Sequence, residues 1–465
     1  MEAKNTLKKK NLPKPLPLKK LLGPSFILLG LGLGSGEIIL WPYLASRYGM
    51  GIIWAAVLGI TFQFFINMEI ERYTLLRGES VFVGLTRKMG KIIPFWFIVS
   101  TLIPWMWPGI IASSAKIFSN LLGINYTKAI PIIFLVIIGI IFTLGPVIYK
   151  TQEKLLKIVI SISIPLILLI TTLIAKKEDL PALFAGLVGK GDNFWFLPQG
   201  ISIAAFLGAV AYAGAGGNLN LAQSFYVKEK GYGMGKYSGR ITSILTGKAE
   251  RINLEGYSFT LNQKNLGRFK NWWKAINIEH FVVFLVTGAF TMIILSFLSY
   301  LTVYGQETES GIGFILTEAK NIGLKTAPLI GSIFLGICSL TLFFTQFSVI
   351  DATSRIMSEN LILLNQNRFR IENLPKFYYF FLWSQITLGI VIFMSGITEP
   401  LTLLVLGAVL NAFTMFVYTI LILWLNNSLL EKPLRPSILR KLFLLSAFVF
   451  YGIFSFLTIA QYLNK

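Results

Sequence analysis

The chain has 465 residues, 54% hydrophobic and only 14% charged, with a mean hydropathy of +0.68 and a formal net charge of +21. A soluble domain of this length carries more charge and spreads its apolar residues more evenly. One cysteine, Cys338, excludes an internal disulfide, and one histidine, His280, leaves no basis for Cys/His metal chemistry.

The first 21 residues hold the basic stretch KNTLKKKNLPKPLPLKK. No A-x-A-like cleavage site follows it, so it reads as a retained cytoplasmic tail. Apolar runs of spanning length then lie near 22–46, 50–68, 93–118, 129–148, 156–175, 199–225, 278–303, 327–349, 376–396, 399–425 and 440–461. Each is close to the roughly 20 residues needed to cross the hydrocarbon, so eleven transmembrane helices are expected. With the N-terminus inside and alternating sides, 33 of the 42 Lys and Arg fall on cytoplasmic segments. This positive-inside bias accounts for the charge without nucleic acid.

The first span reads LGLGSGEIIL, Leu31 to Leu40: three glycines, then the carboxylate of Glu37. No other acidic residue is placed so deep in the membrane, where ionisable groups mark functional sites. In the second span, NMEIERYTLLRGE places Glu69, Glu71 and Arg72 where the helix leaves the membrane. A solvated helix end is expected there, with an inner ion-pair gate as the alternative. The third span, FIVSTLIPWMWPGIIASSA, has no acidic residue, and its Trp105 and Trp107 fit either an outer vestibule or an interfacial belt.

The sixth span repeats the pattern of the first. AYAGAGGNLNL, Ala211 to Leu221, has clustered glycines and then Asn218. Spans one and six each open a group of five, and five is odd, so the second group is inverted relative to the first. Matching breaks in two inverted halves point to a transport site near the midplane. Glycine permits unwinding, and unwound backbone inside a bilayer is tolerated only where it lines a cavity or binds something. The expected breaks lie near 33–37 and 213–218. They form an oxygen-rich cage from helix-end carbonyls, Glu37 and Asn218, with Gly34, Ser35 and Gly214 at the unwound turns. Two alternatives stay open: glycines as close-packing surfaces between helices, and Glu37 as a cap on the resumed half-helix.

The polar segment Lys228 to Asn277 reads as a cytoplasmic loop. It lacks the G-x-x-x-x-G-K-[ST] spacing of a phosphate loop, suggests a small hairpin around Glu255 and Gly256, and ends in NWWKAINIEH, an interfacial aromatic anchor with His280 at the helix mouth. In span eight, Thr345 and Ser348 are candidates for a secondary ion or coupling site. Asp351 with Arg355 reads as an i,i+4 pair at the helix end. Asn411 in span ten is a further candidate for that secondary site or the cavity wall, with a plain bond to a neighbouring helix as the alternative. The organisation is then a tail (1–21), a first five-helix repeat (22–175), an extracytoplasmic loop (176–198), a second repeat with its cytoplasmic loop (199–425) and a linker with the last helix (426–465).

GPSFILLGLGLGSGE, Gly23 to Glu37, and GNLNLAQS, Gly217 to Ser224, resemble helices one and six of Nramp-type divalent metal transporters. The resemblance implies an all-α, LeuT-like 5+5 inverted repeat with helices 1 and 6 broken. It departs at the ligands. The family's D-P-G-N falls on Gly34, Ser35, Gly36 and Glu37, its Met falls on Ala215 and its His on Gly217, while the following Asn is kept as Asn218. With thioether and imidazole gone, the donors are oxygens, which favours a hard ion such as Mg²⁺ or Mn²⁺, with Glu37 and Asn218 as metal ligands. The expected function is alternating-access transport of a cation, which would be cargo, with no cofactor. A sodium-coupled transporter of a small organic solute and a non-transporting protein that keeps the fold are the alternatives. An enzyme finds no G-x-S-x-G or His/Asp cluster. The expected location is the plasma (inner) membrane, with lipid as surroundings, the C-terminus outside and no obligate protein partner.

Overall fold

The computed structural model describes residues 7–463 apart from Ala249, 308–310 and Thr398. Its helices follow the apolar runs. In chain order they are α1 (Pro24–Tyr48), α2 (Met50–Arg77), α3 (Ile92–Leu121), α4 (Ala129–Leu144) and α5 (Ile148–Ile174). The sixth is split into α6a (Ile203–Ala211) and α6b, a 3₁₀ turn Gly217–Ala222 that runs into Gln223–Lys230. Then come α7 (Gln263–Val303), α8 (Pro328–Leu364), α9 (Ile371–Met394), α10 (Pro400–Leu429) and α11 (Ile438–Leu463). Among the described residues, nine helices are long and apolar enough to cross a membrane, and α4 is a shorter apolar helix. The chain is an integral membrane protein.

The first span departs from the expected break. α1 is continuous, but Leu33–Leu40 is a π-helix in which Trp41 N–H bonds back to the carbonyl of Gly36. Pro42 supplies a cause: it has no N–H, and its ring crowds the carbonyl four residues back. A wider turn just before it relieves that crowding, as π-bulges do. A second π stretch, Phe281–Val286, interrupts α7.

The sixth span is broken as its glycines predict. α6a ends at Ala211, and Gly216 (φ 75°) and Gly217 (φ 49°) occupy left-handed conformations that a side chain resists. The glycines of α1 serve close packing. A Cβ at Gly32 would stand 2.7 Å from the Gly214 carbonyl oxygen, one at Gly34 would stand 2.6 Å from Thr345 Oγ1, and one at Gly36 would collide with the carbonyl of Tyr212. Of the two readings of the glycines, packing holds on α1 and unwinding holds on α6.

The polar segment is more ordered than a loop. α7 begins at Gln263, so residues 263–277 are helical and His280 lies inside a helix, fully buried, instead of at its mouth. No hairpin forms at Glu255; Tyr257–Ser258 pairs in parallel with Lys8–Lys9 of the N-terminal tail. Trp272 donates Nε1–H to the carbonyl of Pro13 (2.9 Å) and Arg268 donates to Leu12 O (2.6 Å), so the expected lipid anchor grips the tail. α8 runs on to Leu364, which places Asp351 and Arg355 well inside it. Glu69, Glu71 and Arg72 are buried against neighbours, and the expected solvated end of α2 does not exist.

The backbone contact at Gly36 generates a test. Gly36→Ala is expected to destabilise the detergent-solubilised protein by about 1–3 kcal/mol, because the obstacle is backbone and cannot swing away. Gly267→Ala, on an open face of α7 with nothing near its Cβ position, is expected to be neutral or to stabilise by up to about 1 kcal/mol. Thermal unfolding of the two variants checks the contrast.

Candidate functional site: the junction of α1 and α6

The π stretch of α1 meets the break of α6, packs against α7 and α8, and leaves Glu37 fully buried. Neither carboxylate oxygen has a hydrogen-bond partner. Glu37 faces α7, where a Cβ at Gly288 would stand 3.5 Å from Oε1. A buried carboxylate is costly as an anion unless a positive group joins it.

The break in α6 is held by Gln63 of α2. Its Oε1 accepts from Gly216 N–H (3.2 Å) and its Nε2 donates to the carbonyl of Ala211 (3.0 Å). One amide therefore stands in for a missing helical turn and bonds backbone groups that lipid cannot. The sequence carried a signal for it, a lone glutamine in the apolar run of span two. Gly214 sits under this amide and under the ring of Phe284.

The other expected site residues are distributed around the junction. Gly34 faces Thr345, whose Oγ1 donates to the carbonyl of Gly30 (2.9 Å) and ties α8 to α1. Ser348 does not join it, since its hydroxyl bonds the carbonyl of Phe344 in its own helix. Ser35 is buried, and its Oγ has no partner. Asn218 turns to α3 and donates to Ser100 Oγ and Thr101 Oγ1, each at 2.9 Å. Asn411 donates to the Tyr212 hydroxyl (2.9 Å) beside Gly217, and Tyr212 stacks on Trp105 at 5.4 Å between centroids. The amide oxygens of both asparagines are buried and unpaired. Glu37 and Asn218 thus lie on different faces: three positions after Gly34, Glu37 has turned from α8 toward α7, and the bonds of Asn218 run to α3. The oxygen donors expected for a cation are present, but the two named metal ligands share no hydrogen bond, and among the described residues no group of three or more acidic, His or Cys side chains is placed to hold a metal ion.

At the end of the bundle that carries the tail, charges are paired. Arg355, fully buried, bonds Asp351 at 2.9 Å and Glu229 of α6b, and Tyr378 donates to Asp351 (2.8 Å). Lys228 pairs with Glu359 of α8 at 3.1 Å, and Ser80 donates to the same carboxylate. α6b is thereby pinned to α8. Asp351 and Arg355 are the centre of this network and not an isolated helix-end pair.

No family model matches the sequence, and no curated protein matches it significantly. Solved structures share its fold. A mutant of the manganese transporter of Eremococcus coleocola aligns with a TM-score of 0.70 at 10% identity, covering 99% of this chain and 91% of that one. The same transporter in complex with an aromatic bis-isothiourea substituted compound aligns with a TM-score of 0.67, also at 10% identity and the same coverage. Mhp1, a nucleobase-cation-symport-1 family transporter in a closed conformation with bromovinylhydantoin bound, aligns at 0.53 and 11% identity over 98% of this chain and 96% of that one. The chain has the LeuT-like fold of these proteins.

Gln63 supports a prediction. Gln63→Leu keeps the side chain's bulk but strands Gly216 N–H and the Ala211 carbonyl. It is expected to lower stability by about 1–3 kcal/mol for each group left unpaired. Hydrogen exchange at residues 211–217 is expected to speed up in the same variant, and unchanged exchange there would show that Gln63 does not hold the break.

Proposed function

We propose that the chain is a secondary transporter that moves a cation across the membrane by alternating access. The observation that carries the reading is Glu37, a buried carboxylate with no partner, set where the π turn of α1 meets the broken α6. The shared fold with a manganese transporter supports it. The donors nearby are oxygens only (Glu37, Ser35 Oγ, the free amide oxygens of Asn218 and Asn411, and carbonyls), which favours a hard divalent ion such as Mg²⁺ or Mn²⁺. Glu37 faces α7 and Asn218 faces α3, so ligation by both requires α1 and α6b to shift against each other. The ion is cargo, and the proposal includes no cofactor, enzymatic step or nucleic-acid partner. The positive-inside bias supports a cytoplasmic N-terminus and an outside C-terminus, and the proposed location is the plasma (inner) membrane.

One observation favours a second reading. The stacked Trp105 and Tyr212 rings beside Asn411 suit a small organic solute, with Thr345 and the Gly30 carbonyl as the place for a coupling sodium.

Protons and cations compete for one carboxylate in the first reading. The apparent affinity for Mn²⁺ or Mg²⁺, read from thermal stabilisation of purified protein, is expected to fall as pH is lowered from about 8 to 5. Glu37→Gln removes the titratable charge, and is expected to weaken binding at least about tenfold, or ~1.4 kcal/mol, and to flatten the pH dependence. A variant that binds as tightly with an unchanged profile would make Glu37 structural. Stabilisation by amines or nucleobases in sodium, and not by divalent ions, would select the second reading.

A further inference from the structure

Two more buried carboxylates lie deeper toward the tail end of the bundle, and the proposed cation site does not use them. Glu71 of α2 is fully buried, and neither of its oxygens has a hydrogen-bond partner. Glu279 of α7 is almost as buried; Oε2 accepts from Ser25 of α1 at 2.5 Å, and Oε1 is unpaired. α2 packs on α7 to either side of the pair, with Phe64 stacked on His280 at 5.6 Å between centroids and the Arg72 guanidinium 3.9 Å from the Trp273 ring, so both acids sit in one seam. Neither belongs to an ion pair within 4 Å among the described residues, whereas Glu69, Glu79, Glu229, Asp351 and Glu359 all do. Gln223 of α6b, fully buried, lies beside Glu71 with both amide atoms lacking a geometrically sound bond. It is an unsatisfied polar group aimed into the cluster.

The hydrogen bonds around Ser25 fix one proton. Its hydroxyl lies 2.5 Å from Glu279 Oε2 and 2.7 Å from His280 Nδ1. A hydroxyl has one hydrogen to give, and the carboxylate takes it. The imidazole then donates its Nδ1 hydrogen to Ser25 Oγ, leaving Nε2 bare and without a partner. His280 is held between the rings of Phe64 and Phe284, at 5.6 and 4.8 Å between centroids.

We propose that Glu71 and Glu279 form a proton-binding site inside the bundle, holding one proton between them. Two like charges this close and this buried cannot both persist without a cation. No cation is within pairing distance, and the smallest cation that relieves the pair is a proton. It enters from water at the tail end and settles on a free oxygen, Oε1 of Glu279 or either oxygen of Glu71, because Ser25 occupies Oε2. The pair then carries one negative charge. Lys230 and Lys157 face it from the mouth, both bonded to Glu153 and to the carbonyl of Leu22. Tyr149 and Tyr232 face it from the same side, the former with its hydroxyl unpaired, and Arg440 faces His280 from behind.

The position of the site gives the proton a consequence. Its members come from α1, α2 and α7, so the proton decides whether α2 and α7 meet here as one negative charge or as two that repel, beside the Ser25 bond that ties the start of α1 to α7. The face of α7 that carries His280 and Phe284 continues to Gly288, the neighbour of Glu37. The inference stands whether or not Glu37 holds a cation.

Infrared difference spectra of the purified, full-length protein between acidic and neutral pH test it. Wild type is expected to show a protonated-carboxyl C=O band that titrates. Glu37→Gln, which removes that residue's own carboxyl signal, is expected to keep a band, and the Glu71→Gln, Glu279→Gln double variant made in that background is expected to lose it. Ser25→Ala leaves both acids in place and is expected to shift the band's frequency, a readout that survives if the double variant fails to fold. A band retained in the double variant, one unmoved by Ser25→Ala, or no titrating band in wild type would each overturn the proposal. Loss of stabilisation by Mn²⁺ with the band intact would overturn the cation reading alone.

Discussion

The structure depends on a contact between two backbones. α1 and the broken turn of α6 touch at Gly32 on Gly214 and at Gly36 on Tyr212, with no side chain between them. Hydrocarbon offers no hydrogen bonds, so every N–H and C=O freed by the break must be bonded by protein or line a cavity. A small-residue face lets the backbones meet, Gln63 bonds both ends of the gap, and Thr345 Oγ1 takes the carbonyl of Gly30. With those groups satisfied by neutral partners, nothing positive is left over for Glu37. The neutral solution of the backbone problem is what isolates the carboxylate.

Buried charge divides into two populations with different roles. At the tail end, Arg355, Asp351, Glu229, Lys228 and Glu359 pair with one another across α6b and α8. Breaking such a pair leaves an uncompensated charge in a low dielectric, so these groups hold two helices together. Glu37, Glu71, Glu279 and Glu318 have no such partner among the described residues, and the first three face across boundaries between helices. The paired groups hold helices together, and those three unpaired ones are where the cation and the proton are proposed to bind.

The sequence shows some of this and hides the rest. Spans and the break in α6 are legible because composition and glycine act locally: hydrocarbon demands apolar runs, and left-handed φ demands glycine at 216 and 217. The π turn of α1 is less legible, because glycines before Glu37 allow unwinding and close packing alike. Only the arrival of the Tyr212 carbonyl at Gly36 decides between them. Pro42 was the readable clue. Glu37 stands out as a charge in an apolar run, but its direction does not, since π winding places it on α7 while Gly34 faces α8. Gln63 was visible as the lone glutamine of span two, and its partners lie near 150 residues away. The burial of Glu71, Glu279 and His280 was hidden because their stretches look polar. α7 extends into that polar segment, and the tail, through Leu12, Pro13 and the Lys8–Lys9 strand, covers part of it.

The cover by the tail bears on how the bundle opens. The chain leaves the tail at Leu21 and Leu22, whose carbonyls are bonded by Tyr232, Lys157 and Lys230, and enters α1 at Gly23 and Pro24. Two residues later Ser25 reaches Glu279. Swinging the start of α1 outward therefore costs three bonds to backbone carbonyls, the Ser25 bond to a carboxylate and the strand pairing of Lys8–Lys9. A bond to a charged group is worth about 1.5–3 kcal/mol and a neutral one about 0.5–1.5. Loss of the Ser25 contact thus costs about as much as either lysine bond and more than the neutral Tyr232 bond. The tail, α1 and α6b meet at one mouth, where both pinned charges and unpaired carboxylates are within reach of the moving helix. These bonds are concentrated there, some distance from the junction where the cation is proposed to bind.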